Sequence, residues 1–481
     1  MLFNSFHFLF FFAIVLAGFF LLKGMPRKLF LLVASYYFYM CWSTRYIWVI
    51  WGITLIDYVA GRLIEGADSK SSKRIYLWLS LGCNLGLLFF FKYFNFLSHS
   101  TNQLAGLTGT PVDFPMLNII LPVGISFHTF QAMSYTIDIY KGKVPAERSF
   151  LNYALYVAFF PQMVAGPIER PDQLLPQFRR EPKPALERFC SGAKWAMWGV
   201  FKKMIVADSL ARIVNAVYAR PEAFDGRALL VATVAFAIQI YCDFSGYSDI
   251  AIGIARMMGY ELRINFTFPY FSRSVAEFWR RWHISLSTWF RDYVYIPLGG
   301  NRVRVPRMYV NLLITFIVSG LWHGASWTFA VWGGLHGLYL VLSYATKTLR
   351  AKATVLFRLE RLPLIHAACQ RVWTFVIVTA AWVFFRSPSF SAALYVLKHM
   401  SLRGGPVFQL AVSSGLSGTE VPFLLALTVL LFVVEWFIQH PQRLAPVWSL
   451  TPFRYGCYYA CAYSVVFFGV FGHSDFIYFQ F

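Results

Sequence analysis

His323 is the residue in this sequence best placed to do chemistry, because it lies within a long apolar run. Residues 308–346 contain no Asp, Glu, Lys or Arg, and a helix needs about 20 residues to cross a bilayer. A helix that starts near Tyr309 therefore places His323 at membrane depth. Gly320 and Gly324 lie close by on either side, where the lack of a side chain permits close approach of a backbone or a ligand. An ionisable residue at that depth is a functional-site candidate.

A buried histidine of this kind can act as a general base. A neutral imidazole can take the proton from a hydroxyl as the oxygen attacks an activated acyl group, and such help accelerates a reaction about 10²- to 10⁴-fold. The sequence contains no glycine-rich phosphate loop, no serine nucleophile elbow and no metal-ligand spacing. If the protein is an enzyme, His323 therefore carries the reaction without a metal. The alternative is a neutral histidine that only hydrogen-bonds across a helix bundle.

Other polar residues at membrane depth have simpler interpretations. His336 lies in a glycine-rich part of the same apolar run and is interpreted as packing. Asp243 and Asp249 lie in the segment 239–253, and we interpret them as polar contacts between helices. A role of the two carboxylates in ion coupling is the functional alternative.

A second segment whose side chains could take part in chemistry covers residues 273–307. It reads RSVAEFWRRWHISLSTWFRDYVYIPLGGNRVRVPR. Its pattern predicts one helix over 274–293, with Trp279 and His283 stacked one turn apart and Glu277 one turn from two arginines. Each charged residue would cost about 2.5–3.5 kcal/mol at mid-bilayer, so this helix does not face lipid. It is either an amphipathic helix at the membrane interface or the wall of a cytoplasm-facing funnel that attracts an anionic substrate.

The composition of the chain sets the class of protein. Charged residues make up 14% of the 481 residues and hydrophobic residues 58%, whereas soluble domains carry roughly 25% charged residues. This excludes a soluble enzyme and a disordered chain, and the seven scattered cysteines do not form a disulfide framework. The apolar residues occur in long continuous runs, which favours helices that satisfy their own backbone in lipid. We predict an all-α polytopic membrane protein.

The net charge of +21 does not indicate a nucleic-acid partner. The basic residues fall in short clusters between apolar runs, as the positive-inside rule requires, and this distribution puts both termini outside and the long basic connections inside. Residues 98–117 contain no Lys or Arg and are interpreted as an external loop, and the run near 150–165 as a broken or re-entrant piece. The first apolar run is interpreted as a membrane segment rather than a cleaved signal peptide. The apolar runs are 6–22, 29–41, 45–62, 75–97, 118–140, 190–218, 228–258, 308–322, 326–346, 370–386, 422–439 and 455–472.

Six motifs in a fixed order resemble the membrane-bound O-acyltransferase (MBOAT) family, closest to its alginate O-acetyltransferase branch, whose relatives include the D-alanyl-transfer protein of teichoic acid modification. The resemblance covers almost the whole chain. The motifs are PVGISFHTFQ (Pro122–Gln131), FFPQMVAGPIERP (Phe159–Pro171), YCDFSGYSDIAIG (Tyr241–Gly253), FWRRWHISLSTWFRDYVYIPLGGNR (Phe278–Arg302), SGLWHGASWTF (Ser319–Phe329) and FIYFQF (Phe476–Phe481).

The resemblance implies a fold and two catalytic positions. The fold is a single domain over 1–481, in which a ring of roughly 10–12 transmembrane helices, with re-entrant or interfacial helices, surrounds a central funnel. Residues 265–346 form the catalytic-core region. The catalytic histidine of the family falls on His323. Its second position, Asn in many eukaryotic members and His in this branch, falls on His283.

We therefore expect an inner-membrane O-acetyltransferase that moves acetyl from a cytoplasmic thioester across the membrane for O-acetylation of an exported polysaccharide, alginate-like or other. The donor is acetyl-CoA or an acyl-carrier thioester, with no tightly bound cofactor. Contacts to the donor are expected from Trp279, Arg280, Arg281 and Arg291. The expected partners are membrane lipid and a periplasmic acetyl-transfer protein, and the phenylalanine-rich C-terminal tail is a candidate docking element for that protein.

Three other functions stay open. The first is transfer of another acyl group, such as D-alanine from a carrier protein, on the same scaffold. The second is a transporter or flippase that uses Asp243 and Asp249 and needs no His323. The third is acyl transfer to lipid, as in eukaryotic relatives.

Overall fold

The computed structural model describes residues 1–109, 113–164, 166–471 and 476–477. Within these ranges the regular structure is helical and no β-strand occurs, which confirms the predicted all-α class. The chain forms two compact units. The first comprises Met1–Ala196 with Ile250–Arg263, and the second comprises Met197–Asp249 with Ile264–Phe481. That the whole chain is one domain stays a prediction.

The first unit contains the N-terminal helices. Serine residues begin several of them: the Ser5, Ser69 and Ser149 side chains each accept a hydrogen bond from a backbone N–H of the first turn, which satisfies a donor that the helix itself leaves unpaired. The α-helices that begin in this unit are Phe6–Leu21, Gly24–Met40, Ile47–Gly66, Lys70–Leu88, Phe94–Thr108, Ile125–Tyr140, Phe150–Ala158, Phe160–Met163, Pro171–Phe178 and Leu186–Val200.

Two predictions for this unit have different outcomes. The broken piece near 150–165 is confirmed, because one helix ends at Ala158 and a four-residue helix with Pro161 in its first turn follows. The run predicted over 75–97 extends further than expected: after a π-helical turn at Phe89–Tyr93 the chain continues as a helix through Thr108, while the external position of residues 98–117 stays a prediction. The lack of basic residues there bears on the side of the membrane and carries no information about backbone conformation.

The second unit contains the helices that carry the candidate site. Residues up to Asp249 of the long helix Gly226–Met258 belong to it. Two π-helical turns occur here, at Phe201–Ala207 and Arg291–Tyr295. The α-helices that begin in this unit are Asp208–Ala219, Gly226–Met258, Val275–Arg281, Ile284–Phe290, Val305–His323, Trp327–Ala345, Lys347–Leu356, Pro363–Arg386, Phe390–His399, Val407–Ser413, Glu420–Gln439, Pro441–Trp448 and Thr451–Phe468.

Six helical stretches within the described residues are long and apolar enough to cross a membrane, which supports a multi-pass membrane protein. They are fewer than the expected ten to twelve spans because several apolar runs form helices of only 16 or 17 residues, such as Phe6–Leu21 and Gly24–Met40. The ring and its funnel stay predictions. The six stretches are Ile47–Gly66, Lys70–Thr108, Gly226–Met258, Val305–His323, Pro363–Arg386 and Glu420–Gln439.

Candidate active site

The segment 274–293 is broken at His283, so the prediction of one continuous helix is wrong. A seven-residue helix ends at Arg281 and a second begins at Ile284. Between them His283 adopts the left-handed conformation, with φ 42° and ψ 56°. Two side-chain bonds cap the start of the first helix: the Ser274 hydroxyl accepts from the backbone N–H of Glu277, and the Glu277 carboxylate accepts from the backbone N–H of Arg273, the residue before the cap.

The break separates His283 from Trp279, which the sequence had placed in one stack. The His283 ring is fully buried and lies edge-on to Phe244 at 4.5 Å between ring centroids, with Trp322 at 6.1 Å. Burial lowers the pKa of His283 to about 3, so the imidazole is neutral at physiological pH. Its Nδ1 lies 3.1 Å from Oδ1 of Asn265, a residue that sequence reasoning missed.

His323 is the last residue of the helix Val305–His323 and is only 3% exposed. Its ring centroid lies 6.4 Å from that of His283, so the structure brings the two predicted catalytic histidines together. Aromatic rings surround it: Trp322 at 4.9 Å, Trp332 at 5.1 Å and Phe385 at 5.5 Å between centroids. A site enclosed in this way excludes water, which strengthens electrostatic interactions inside it.

The glycines near His323 serve helix packing. A methyl group added to Gly320 would collide with the carbonyl oxygen of Phe329, and one added to Gly333 would collide with the carbonyl oxygen of Phe316. The helices Val305–His323 and Trp327–Ala345 can therefore approach closely only because these positions lack side chains.

A cavity of about 410 Å³ lies beside the first of the two short helices. Trp279, Arg280 and Arg291 all line it, as does Ser319, one turn before His323 on the same helix. Arg280 is exposed and has no ion-pair partner within the described ranges, whereas Arg291 pairs with Asp292 at 2.8 Å. Three of the four predicted donor contacts therefore share one cavity.

The fourth predicted donor contact, Arg281, lies apart from that cavity. Its guanidinium pairs with Glu277 at 2.7 Å and donates to Oε1 of Gln439 at 3.2 Å. The arginine is thus held by neighbouring side chains as the helix-surface ion pair that its i, i+4 spacing predicts.

His336 does more than pack. Its Nδ1 accepts a hydrogen bond from the indole Nε1–H of Trp279 at 3.2 Å, and the imidazole is fully buried. Because Trp279 sits on a helix of only seven residues, this bond from the helix Trp327–Ala345 fixes one wall of the cavity.

Asp243 and Asp249 are ion-paired, and their partners are two lysines that the sequence analysis did not single out. Lys202 lies 2.5 Å from Asp249, and Lys203 lies 2.6 Å from Asp243 and 2.8 Å from Asp208. All five side chains are buried. The signal was present as two adjacent lysines inside the apolar run 190–218, where an ionisable residue needs a partner.

The C-terminal segment reaches the same network. The backbone N–H of Ile477 donates to Oδ2 of Asp243 at 2.7 Å, and the Phe476 ring packs 4.8 Å from Tyr247 and 5.8 Å from Phe244. Both segment residues are buried. The remaining residues of the predicted docking tail, 478–481, lie outside the described residues, so its docking role stays a prediction.

No group of three or more His, Cys, Asp or Glu side chains arranged to hold a metal ion occurs among the residues that the structure describes. The arrangement at His323 and His283 places two imidazoles in an aromatic enclosure that excludes water. Such a site suits proton transfer to or from a reacting hydroxyl.

Comparison with known proteins identifies the chemistry. The family model of the membrane-bound O-acyltransferases matches residues 143–385. The chain is 38% identical over 453 residues to the probable alginate O-acetylase AlgI of Azotobacter vinelandii, covering 93% of this chain and 87% of that protein. It is 36% identical over 434 residues to the peptidoglycan O-acetyltransferase of Helicobacter pylori, covering 83% and 80%.

A more distant match is the teichoic acid D-alanyltransferase of Streptococcus thermophilus, 31% identical over 246 residues, with 48% of this chain and 59% of that protein covered. The matched family region contains both buried histidines, the cavity with its two arginines and the paired lysines and aspartates. The chain therefore belongs to the membrane-bound O-acyltransferase family and is a multi-pass membrane acyltransferase.

Proposed function

We propose that the protein transfers an acetyl group from a cytoplasmic thioester, acetyl-CoA, across the inner membrane for O-acetylation of an exported polysaccharide. The observation that carries the proposal is the enclosure of His323 and His283 with their ring centroids 6.4 Å apart. Two imidazoles at that separation can flank one reacting acyl group, with one ring removing the hydroxyl proton and the other assisting the transfer. In this assignment His323 is the general base, and His283 assists.

The cavity beside Trp279 is the proposed donor site. Its polar lining includes the guanidinium groups of Arg280 and Arg291, and arginine matches the geometry of phosphate oxygens. Aliphatic and aromatic side chains form the remainder, together with the hydroxyl groups of Ser287, Thr288, Thr315 and Ser319. This arrangement fits an anionic thioester donor whose arm has both apolar and hydrogen-bonding groups.

We expect Arg280→Gln and Arg291→Gln each to raise the KM for acetyl-CoA about tenfold while kcat stays within about threefold. Each substitution removes a charge-assisted hydrogen bond, and tenfold corresponds to about 1.4 kcal/mol. The measurement is steady-state acetyl transfer by the purified protein at several salt concentrations. Arg307→Gln is the matched control, since Arg307 is exposed and does not line the cavity. Equal KM values for all three variants would contradict the donor site.

The acceptor side of the proposal rests on the relatives. Alginate O-acetylases and a peptidoglycan O-acetyltransferase are named for acetylation of a polymer. The same role for this chain would need a protein on the outer side of the membrane to pass the acetyl group to the polymer, and the C-terminal segment is the candidate docking element.

The decisive experiment follows radiolabelled acetyl from acetyl-CoA in membranes that contain the protein, a polymer acceptor and extracts of the outer compartment. Label in polysaccharide, released by mild base as acetate and identified by mass analysis, supports the proposal. Label in the lipid fraction would instead indicate acyl transfer to lipid. No transfer from acetyl-CoA by active protein would contradict it.

D-alanyl transfer from a carrier protein is the second candidate, favoured by the match to a teichoic acid D-alanyltransferase. Mass analysis of the modified polymer separates an alanyl from an acetyl ester. A transporter without acyl chemistry is disfavoured because the two carboxylates that it would use, Asp243 and Asp249, are each neutralised by a buried lysine.

A further inference from the structure

The side chain of Asn265 is the hub of a buried hydrogen-bond cluster around His283. Its Oδ1 lies 3.1 Å from His283 Nδ1, 3.2 Å from the backbone nitrogen of Ser285 and 2.9 Å from the Ser285 hydroxyl. Its Nδ2 lies 3.3 Å from the hydroxyl oxygen of Ser248. Asn265, His283, Ser285 and Ser248 are at most 1% exposed.

We propose that Asn265 is a positioning residue that holds His283 with its proton on Nδ1, so that Nε2 is the basic nitrogen of the ring. The inference rests on the proposed function, in which His283 assists acyl transfer. It assigns to His283 the chemistry of a proton acceptor and excludes that of a neutral hydrogen-bond donor at Nε2.

The identity of the amide oxygen follows from Ser285. A backbone N–H can only donate, so the amide atom that faces the Ser285 nitrogen must be the oxygen. An amide oxygen can only accept, so the nitrogen of His283 that faces it must carry a hydrogen. In a neutral imidazole only one ring nitrogen carries a hydrogen, which leaves Nε2 with the lone pair.

The backbone of Asn265 is bonded to the same helix break as its side chain. Its carbonyl oxygen accepts from the backbone N–H of Ile284 at 2.9 Å, immediately after the left-handed residue. A backbone hydrogen bond therefore links Asn265, which carries the amide, to the first residue after the helix break. Rotation of the amide would give up the bonds from His283 and Ser285 together.

The consequence concerns which step His283 can perform. A base with its lone pair on Nε2 can receive a proton from a hydroxyl or hold a water or hydroxyl as a hydrogen-bond acceptor. It cannot stabilise a developing oxyanion from Nε2 unless it first becomes protonated, and burial among Phe244, Phe266 and Trp322 opposes that charge.

Other titratable groups on the elements packed around His283 have ion-pair or hydrogen-bond partners of their own. The helix Gly226–Met258 carries Asp243 and Asp249, each paired with a lysine. Glu435 accepts from the Tyr241 hydroxyl at 2.6 Å. His323 is a titratable ring close to His283, at 6.4 Å between ring centroids. It is present in both proteins, so a new acid limb in an Asn265 variant can be assigned by comparison with the unchanged protein.

The test compares pH profiles of acetyl transfer for Asn265→Asp and Asn265→Ala. A carboxylate beside Nδ1–H stabilises the imidazolium and raises the pKa of His283. Because the pKa starts at about 3 and one carboxylate raises it by about 1–3, the acid limb falls in the acidic range. We expect Asn265→Asp to lose at least threefold in kcat between pH 8 and pH 5, while the unchanged protein varies by less than about twofold. Asn265→Ala, which removes the acceptor without adding a charge, should lower kcat about 10- to 100-fold at every pH with the KM for acetyl-CoA unchanged.

The control is Asn311→Asp, the same change at another fully buried asparagine, whose amide donates to backbone carbonyls of the 298–300 turn. It should add no acid limb. A profile for Asn265→Asp that parallels the unchanged protein overturns the inference, as does an acid limb shared with Asn311→Asp. If Asn265→Asp fails to reach the membrane, Asn265→Ala decides: unchanged kcat, or a change in KM alone, overturns it. Absence of transfer by the unchanged protein contradicts the proposed function and is seen before any variant is compared.

Discussion

His323→Ala should abolish acyl transfer while the protein still accumulates in the membrane. The variant removes the base that takes the hydroxyl proton, a contribution of about 10²- to 10⁴-fold, and opens a gap among Trp322, Trp332 and Phe385 that admits water to the reacting acyl group. We expect a loss of at least a thousandfold. The measurement is labelled acetyl released from polymer, normalised to the amount of protein in the membrane by immunoblot.

The matched control for this prediction is His399→Ala. His399 is exposed at the end of the helix Phe390–His399 and contacts the backbone carbonyl of Tyr395 in its own helix. It should retain transfer within about twofold. Polymer acetylation by His323→Ala within tenfold of the unchanged protein would show that the base lies elsewhere.

Lys203→Met should destabilise the protein by about 3–5 kcal/mol, the cost of breaking a buried ion pair on one side. The ammonium group lies within 2.8 Å of both Asp208 and Asp243, and methionine fills similar volume without charge. Its loss leaves two buried carboxylates close together in a low-dielectric interior, and one of them also accepts the backbone N–H of Ile477. We expect a lower unfolding temperature in detergent and reduced yield.

Charge pairing makes this prediction specific. The double variant Lys203→Met/Asp243→Asn removes one charge of each sign and should recover part of the stability, whereas Lys347→Met, at an exposed lysine, should change the unfolding temperature little. An unfolding temperature for Lys203→Met equal to that of Lys347→Met would mean that the buried pair contributes no net stability.

The sequence predicts the membrane class because that class depends on averages over many residues. The position of His323 at membrane depth stays a prediction, and the helix that carries it ends at this residue. The fraction of charged residues and the run of 39 residues without a charged side chain indicate a membrane protein even where an individual helix is broken. The cap that Ser274 gives to the first short helix is also local, since it joins residues only three positions apart. Three of the four predicted donor contacts share a cavity because they lie close together along the chain, within residues 279–291.

The helix break at His283 could not be predicted from the same pattern. Helical spacing of apolar residues continues through positions 279–286. At the break, the backbone N–H of Ile284 instead bonds to the carbonyl of Asn265, which lies 19 residues earlier. The pairing of Trp279 with His336 spans 57 residues. Contacts at such separations are decided by tertiary packing, which overrides local propensity.

The buried lysines illustrate a different limit. Lys202 and Lys203 are adjacent, and in a regular α-helix neighbouring residues point about 100° apart. The π-helical turn Phe201–Ala207 lets both ammonium groups reach inward partners. Such turns are uncommon and often occur at functional sites, but the sequence carries no local mark of them.

The left-handed backbone at His283 also restricts evolution at this position. Outside glycine, that conformation is populated several-fold more often by Asn, Asp and His than by other residues, and a β-branched side chain there is strained. Asparagine and histidine are the two types that the family resemblance places at this position, and both fit the same φ and ψ. The backbone conformation at residue 283 therefore limits which residue types are tolerated there. Selection for reactivity can choose only among those types.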